Sequence, residues 1–125
     1  MNSNVLITGA SAGIGRALAY KFSSNVKSLV LCSRNEEELV KVKERVEKKE
    51  LKVYVFPCDL SSEKNCIRLS DFAISKNVNV LINNAAIHCP AISLNNISVW
   101  FLDFLALIDT FLFEFKDANI IAVLH

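Results

Sequence analysis

The sequence has almost no net charge and no marked bias in composition. Its 14 Lys and Arg residues nearly balance 13 Asp and Glu residues, which gives a formal net charge of +1. This balance gives no electrostatic reason to bind nucleic acid or an acidic membrane, so neither is predicted as a partner. The 125 residues also lack internal repeats, low-complexity stretches and linkers, so we expect one domain over residues 1–125. A hydrophobic content of 52% supplies enough apolar side chains for a core.

The sequence also shows no Cys-x-x-Cys pair, and its first residues do not predict a secretory leader. The four cysteines, Cys32, Cys58, Cys66 and Cys89, form no Cys-x-x-Cys pair and no metal-ligand spacing. No basic stretch followed by an apolar run precedes the first predicted strand, so no signal peptide is expected. Together these features predict reduced thiols, a cytoplasmic location and no metal site. Cys32 and Cys58 end apolar runs and are expected to be small core residues.

One segment, Ile97–Phe115, is apolar enough to raise the question of a membrane span. Asp103 and Asp109 lie inside it, and each would cost about 2.5–3.5 kcal/mol at the centre of a bilayer. Glu114 adds to this cost near the end of the segment. We therefore favour a helix that is buried in protein over a transmembrane helix.

Apolar runs alternate with amphipathic segments along the whole chain. The runs are continuously apolar, which is typical of strands buried on both faces of a parallel sheet. We predict strands at Asn4–Thr8, Ser28–Ser33, Leu51–Cys58, Val78–Asn83 and Asn119–His125, and helices at Ile14–Ser23, from Asn35, from Ser61 or Ser62 to Ser75, and at Ile97–Phe115. This order predicts an α/β fold: a parallel sheet of about five strands with helices on both faces.

The first three helices have predicted starts and inward faces. Asn35, with Glu38 three residues later, has the spacing of a capping box. Pro57 near the end of the third strand is compatible with an edge of the sheet. Apolar residues at helical spacing predict the inward-facing sets Ile14, Leu18 and Phe22; Leu39, Val42 and Val46; and Cys66, Leu69 and Ala73.

The segment Val5–Ala19, VLITGASAGIGRALA, is the most informative of the chain. It reads as a strand, a glycine turn and a helix N-terminus, in the order that a dinucleotide pyrophosphate requires. Gly9 allows a tight turn, Gly13 lets the backbone approach phosphate oxygens, and Gly15 lets the helix pack closely on the strand. Unpaired N–H groups and the helix dipole favour an anion at this helix end. The predicted pyrophosphate site therefore comprises Gly9, Ser11, Ala12, Gly13, Ile14 and Gly15.

The spacing Gly-x-x-x-Gly-x-Gly differs from the standard Gly-x-Gly-x-x-Gly and closely resembles that of the short-chain dehydrogenases/reductases. The resemblance extends over about residues 4–90. It implies a Rossmann-type sheet that is incomplete relative to the family, an oxidoreductase activity and a nicotinamide coenzyme.

The coenzyme is predicted from the end of the second strand, which reads Cys32-Ser33-Arg34. An acidic residue at this point would hold the ribose 2′-OH of NAD, and none is present. Arg34 can instead neutralise a 2′-phosphate and stack on adenine, with the Ser33 hydroxyl beside it. The sequence therefore predicts NADP(H) over NAD(H).

Two further matches carry site residues over from the family. Asp59 follows the third strand, where the resemblance implies that its carboxylate accepts from the adenine amino group and that Leu60 lies beside the ring. The fourth strand ends in Asn83-Asn84-Ala85-Ala86, which resembles the family's Asn-Asn-Ala-Gly. The resemblance implies that the backbone at Asn83 and Ala85 passes along the coenzyme ribose and that the asparagines fix neighbouring strands. Ala86 departs from the family's glycine and adds a Cβ to this loop.

The residues of proton transfer are missing from the 125 residues. The family uses a serine and a tyrosine followed four positions later by a lysine, usually with a helix asparagine. Here Tyr20 is followed by Ser24 and Tyr54 by Cys58, so the pattern does not occur. His88 is a weak substitute, because a single loop histidine is more often an ordinary surface residue. No catalytic residue is assigned, and we expect a truncated form of the enzyme.

The sequence thus predicts an NADP-dependent oxidoreductase that transfers hydride between nicotinamide and a small-molecule carbonyl or alcohol. The alternative is a non-catalytic nucleotide-binding remnant or a partner-dependent module. A relative of the epimerase type is disfavoured by the three-residue gap before Gly13. The apolar helix predicted at Ile97–Phe115 is expected to expose a large patch, which predicts homo-oligomer formation or other association.

Overall fold

The computed structural model describes residues 3–84 and 119–122. These residues form strands β1 (Asn4–Thr8), β2 (Ser28–Ser33), β3 (Lys52–Pro57), β4 (Val80–Asn83) and β5 (Asn119–Ala122), and helices α1 (Gly13–Phe22), α2 (Glu36–Val46) and α3 (Glu63–Ser75). Strands and helices alternate from β1 to β4, as predicted. The predicted loop at 84–96, apart from Asn84, and the helix at 97–115 lie outside the described residues.

The five strands form one parallel sheet in the order β3-β2-β1-β4-β5. The chain moves outward from β1 to β3 on one side and then crosses to β4 and β5 on the other. Strands β1 and β4 are therefore the neighbours at which the strand order reverses. In open sheets of this Rossmann type, ligands bind beyond the carboxyl ends of the strands at such a point.

Successive residues of the interior strand β2 enter opposite cores of the molecule. Leu29 and Leu31 belong to the core covered by α1 and α2. Val30 and Cys32 belong to the core covered by α3. The strand is therefore buried on both faces, which explains its continuous apolar sequence and confirms helices on both faces of the sheet.

Polar side chains cap the amino ends of two of the helices. The Asn35 side chain accepts a hydrogen bond from Glu38 N at the start of α2, as predicted. Ser62, rather than Ser61, caps α3 and accepts from Asn65 N. These bonds satisfy backbone donors that have no partner within the helix.

The predicted inward faces are confirmed for α2 and only partly for α1 and α3. Ile14 is 45% exposed, whereas the buried residues of α1 are Gly15 and Ala19. Small residues face the sheet here because the helix lies too close to it for a large side chain. On α3, Cys66 is half-buried, while Leu69 and Ala73 are buried as predicted.

Strand β3 lies at the edge of the sheet and pairs only with β2 among the described strands. Pro57 is its last residue, so the missing N–H of proline falls where the pairing ends. Within residues 3–84 and 119–122, no helix combines the length and the apolar character needed to cross a membrane.

Leu31→Ala should test the burial of β2. Leu31 has no exposed surface, so the substitution leaves a cavity and should lower the free energy of unfolding by about 2–5 kcal/mol in urea titrations. Val40→Ala on α2 is the control, because Val40 is 37% exposed and should change stability by less than about 0.5 kcal/mol. Equal losses from both variants would contradict the assigned core.

Candidate functional site

Four segments that contain predicted binding residues lie along one edge of the sheet. Asp59 follows β3, Ser33 ends β2, Gly9 follows β1 and Asn83 ends β4. Because all of these strands are parallel and adjacent, their carboxyl ends meet at one edge. The predicted Ala85 lies outside the described residues.

The turn after β1 needs glycine for two reasons. Gly9 has φ +64°, in the left-handed region that other residues rarely adopt. A Cβ on Gly9 would also lie 2.8 Å from the Asn84 carbonyl oxygen. Ala10 N donates to Cys32 O at 3.2 Å, so the turn is held between the ends of β2 and β4.

Gly15 lets the first turn of α1 pack against this glycine turn. A Cβ there would overlap the Gly9 carbonyl oxygen and lie 2.6 Å from Asn84 Nδ2. Neither the backbone of the turn nor the Asn84 amide can move without disturbing the sheet end. The close packing predicted for Gly15 is therefore present, and it brings the amino end of α1 to the edge of the sheet.

Gly13, by contrast, faces open space. Its φ is +54°, and in the described part of the chain no atom beyond its chain neighbours and the adjacent backbone of α1 lies within 4 Å of where a Cβ would be. Ala12, at the N-cap of α1, has no side chain that accepts from the helix, and the first turn contains no acidic residue. The amino end of α1 is thus exposed and electropositive, and it fits an anionic group.

Asn84 connects β4 to the glycine turn. Its backbone N–H donates to Thr8 Oγ1 at 3.0 Å, and its Nδ2 donates to the Gly9 carbonyl oxygen at 3.3 Å. Thr8 and Asn84 are both buried. The resemblance implied that the asparagines fix neighbouring strands, and Asn84 does so. The predicted binding residues included neither Asn84 nor Thr8, because only the sheet order brings them together.

Arg34 and Asp59 are exposed side chains on neighbouring strand ends. Asp59 Oδ1 accepts from Ser61 N at 2.9 Å. This bond lowers the pKa of the Asp59 carboxyl, and the positive charge of Arg34 adds a smaller effect in the same direction. The carboxylate is therefore ionised at neutral pH and presents acceptor oxygens beside the Arg34 guanidinium.

The segment that carries Asp59 and Leu60 is held by side chains of α3. Asn65 Nδ2 donates to the Asp59 carbonyl oxygen at 3.0 Å, and Arg68 Nη1 donates to Asn65 Oδ1 at 3.2 Å. Cys66 Sγ donates to the Leu60 carbonyl oxygen at 3.2 Å. The sequence does not indicate this support, since neither the spacing nor the family pattern marks Asn65 and Arg68, and the spacing predicts only that Cys66 faces inward.

Two thiols lie under the same edge. Cys32 Sγ and Cys58 Sγ are 3.6 Å apart, and Cys58 N donates to the Ser33 carbonyl oxygen at 2.9 Å. Burial raises the pKa of both thiols. Cys32 is the small core residue that the sequence predicts, whereas Cys58 is only half-buried.

The family is shown by comparison with known proteins. The family model described as short chain dehydrogenase matches residues 3–103, so the chain belongs to the short-chain dehydrogenase family. It is 41% identical over 86 residues to short-chain dehydrogenase/reductase family 16C member 6 of Bos taurus, covering 66% of this chain and 27% of that protein. It is 37% identical over 82 residues to 7α-hydroxysteroid dehydrogenase of Escherichia coli K12, covering 64% of this chain and 32% of that protein. The chain thus spans about a quarter to a third of these relatives.

Solved structures share the fold. The chain is similar to an NADPH-dependent reductase involved in bacilysin biosynthesis, with a TM-score of 0.79 and 26% identity over 98% of this chain and 54% of that one. It is also similar to a 7α-hydroxysteroid dehydrogenase complexed with NADH and 7-oxo glycochenodeoxycholic acid, with a TM-score of 0.78 and 26% identity over 97% of this chain and 52% of that one.

Gly15→Ala and Gly13→Ala should differ sharply in stability. The Cβ at residue 15 meets rigid backbone, so we expect a loss of more than about 3 kcal/mol in the free energy of unfolding. The Cβ at residue 13 meets nothing, so only left-handed strain remains, at about 1–2 kcal/mol. Chemical denaturation of the two variants measures the difference, and equal losses would contradict the close packing of α1.

Proposed function

We propose that this chain supplies the coenzyme-binding part of an NADP(H)-dependent oxidoreductase of the short-chain dehydrogenase/reductase type. The observation that carries the proposal is the exposed amino end of α1 at Gly13, which lies at the same sheet edge as Arg34. The first site suits a pyrophosphate, and the second suits a 2′-phosphate. The bound coenzyme would supply hydride exchange with a carbonyl or alcohol.

Each proposed binding residue has a distinct role along the sheet edge. Backbone N–H groups around Ser11, Ala12, Gly13 and Ile14 would hold the pyrophosphate, with Gly9 and Gly15 shaping the turn. Ser33 and Arg34 would hold the 2′-phosphate, and Asn83 and Ala85 would border the nicotinamide-side ribose.

The adenine would lie between the ends of β2 and β3. The Asp59 carboxylate is exposed, ionised and held by the Ser61 N–H, so it can accept from the adenine amino group. Leu60, held through its carbonyl by Cys66, would lie against the ring. The Arg34 guanidinium can stack on the opposite face while its charge reaches the 2′-phosphate.

The choice of NADP(H) depends on Arg34. The names of the similar structures include both an NADPH-dependent reductase and a complex with NADH, so the family alone leaves the coenzyme open. No carboxylate stands at Ser33 or Arg34 to bind a free ribose 2′-OH and repel a phosphate. The charge at this strand end therefore favours the phosphorylated coenzyme.

The proposed substrate is a small-molecule carbonyl or alcohol, and the proposed location is the cytoplasm. We assign no catalytic residue, because neither tyrosine of the chain is followed by a lysine four positions later. Association through the helix predicted at 97–115 stays a prediction, since that segment lies outside the described residues.

Fluorescence titration of the purified chain with NADPH and NADH tests the coenzyme assignment. We expect NADPH to bind more tightly. Arg34→Asp removes the charge partner of the 2′-phosphate and should weaken NADPH binding by about 10-fold to 100-fold, while NADH binding falls little or improves.

Lys27→Asp is the matched control for charge. Lys27 is an exposed cation that precedes β2, at the opposite end of that strand from Arg34. The Lys27→Asp substitution should leave the ratio of the NADPH and NADH affinities unchanged. An Arg34→Asp variant that retains the wild-type preference would show that another group selects the coenzyme.

The 125-residue chain should bind the coenzyme but should not catalyse turnover of a substrate. We expect it to bind NADPH without oxidising it in the presence of generic ketones and aldehydes, because the tyrosine and lysine of proton transfer are absent. Absorbance of NADPH over time measures turnover, with a complete short-chain dehydrogenase as the positive control. Substrate-dependent loss of absorbance would overturn the assignment of no catalytic residue.

A further inference from the structure

Three cysteines lie around the segment that joins β3 to α3, and the coenzyme site proposed above uses only one of their thiols, that of Cys66, which holds the Leu60 carbonyl oxygen. Cys32 Sγ and Cys58 Sγ are in contact at 3.6 Å. Cys66 Sγ is turned to the Leu60 carbonyl oxygen. The three thiols are free, so the first two form a reduced pair that is close along the chain to Arg34 and Asp59.

We propose that Cys32 and Cys58 are a redox modification site: a low-molecular-weight disulfide converts them to an intramolecular disulfide that weakens coenzyme binding. The effect on binding rests on the proposed function, whereas formation of the disulfide does not.

The sheet register places the two thiols for this bond. Cys32 lies opposite Phe56 in the parallel pair β2–β3, and Cys58 is two residues further along. Because side chains alternate between the faces of a strand, both thiols lie on the face that is covered by α3. A disulfide has an S–S length of about 2.05 Å, so the two sulfur atoms must approach from their present contact.

The backbone at Cys58 is placed to make that approach. Cys58 follows Pro57, the last residue of an edge strand, and β2 is the one strand beside it in the described sheet. Cys32, in contrast, belongs to the interior strand β2 and has no exposed surface. Most of the movement should therefore occur at Cys58.

The two thiols differ in access, which sets the order of the reaction. The half-buried Cys58 thiolate attacks a sulfur of the small disulfide, and one small thiolate leaves. The buried Cys32 thiolate then attacks Cys58 Sγ, and the second small thiolate leaves. The protein pair is oxidised by two electrons, the small disulfide is reduced to two thiols, and the two protein protons pass to them.

Burial of Cys58 makes its attack slow. Burial raises its pKa and the nearby Asp59 carboxylate acts in the same direction, whereas the hydrogen bond from Cys32 and the Arg68 guanidinium lower it. The thiol is therefore mostly protonated at neutral pH, which slows the first step. Burial also raises the pKa of Cys32, but the second step is intramolecular between atoms already in contact, so the mixed disulfide should not accumulate.

The disulfide acts on the coenzyme site through the residues next to it. Cys32 immediately precedes Ser33 and Arg34, and Cys58 immediately precedes Asp59. Pulling Cys58 toward β2 moves the Asp59 carboxylate and Leu60 relative to the Arg34 guanidinium. The Asp59, Leu60 and Arg34 side chains, which would surround the adenine, then lose their relative placement.

Mass spectrometry of the full chain treated with glutathione disulfide tests the pair. Cys89, which lies outside the described residues, is replaced by serine in every protein. After alkylation and digestion, we expect one disulfide between the peptides of Cys32 and Cys58 and a free Cys66. A fully reduced protein, or a bridge that involves Cys66, would overturn the proposal.

Single variants distinguish the thiol that attacks the small disulfide from the thiol that closes the bridge. Cys32→Ser should trap glutathione on Cys58, Cys58→Ser should leave Cys32 unmodified, and Cys66→Ser should still form the bridge. Circular dichroism before oxidation verifies that each variant is folded. Glutathione found on Cys32 in the Cys58→Ser protein would contradict the assigned order of attack.

NADPH titration of the oxidised and reduced proteins tests the coupling. We expect about tenfold weaker binding after oxidation, reversed by dithiothreitol, and by linkage bound NADPH should oppose the disulfide by the same factor. Cys32→Ser/Cys58→Ser should bind equally under both conditions. If the reduced protein does not bind NADPH, the proposed function fails while the disulfide result stands; equal binding by both forms refutes the coupling alone.

Discussion

The close approach of α1 to the end of β1 is the constraint on which the site depends. A side chain at Gly15 would overlap the Gly9 carbonyl oxygen, and a side chain at Gly9 would meet the Asn84 carbonyl oxygen. All three glycines of the chain lie in the turn after β1 and in the first turn of α1. Gly9 and Gly15 avoid steric conflict within the protein, and Gly13 leaves open space on its surface. The turn therefore holds the helix end rigidly while keeping its N–H groups open to a ligand.

The order of the strands turns separate sequence segments into one site. Strand β1 is central, so its turn lies between Ser33 at the end of β2 and Asn83 at the end of β4. The edge strand β3 adds Asp59 beyond Arg34. A dinucleotide that is laid across these ends would meet the acidic Asp59, the basic Arg34 and the open backbone of the glycine turn in succession, which suits its adenine, its 2′-phosphate and its pyrophosphate in that order.

Much of the fold was predictable because local chemistry and tertiary packing agree. The apolar run of β2 is buried on both faces, and Asn35 caps α2 as its spacing with Glu38 indicates. The exception is the face of α1, where Ile14, one of the three large apolar residues at the predicted spacing, is exposed. Periodicity favours large side chains for the core, but the distance between α1 and the sheet admits only Gly15 and Ala19.

The sequence by itself determined the class of the protein, the glycine turn, and the presence of Arg34 where a carboxylate would bind the ribose of NAD. Each of these depends on short motifs whose residues are close together along the chain. Only the tertiary structure decided which distant groups meet. Asn84 and Gly9 are 75 positions apart, and Cys32 and Cys58 are 26 apart, yet both pairs are in contact. The physical reason is that strand order and register, not local pattern, determine which strand ends are neighbours.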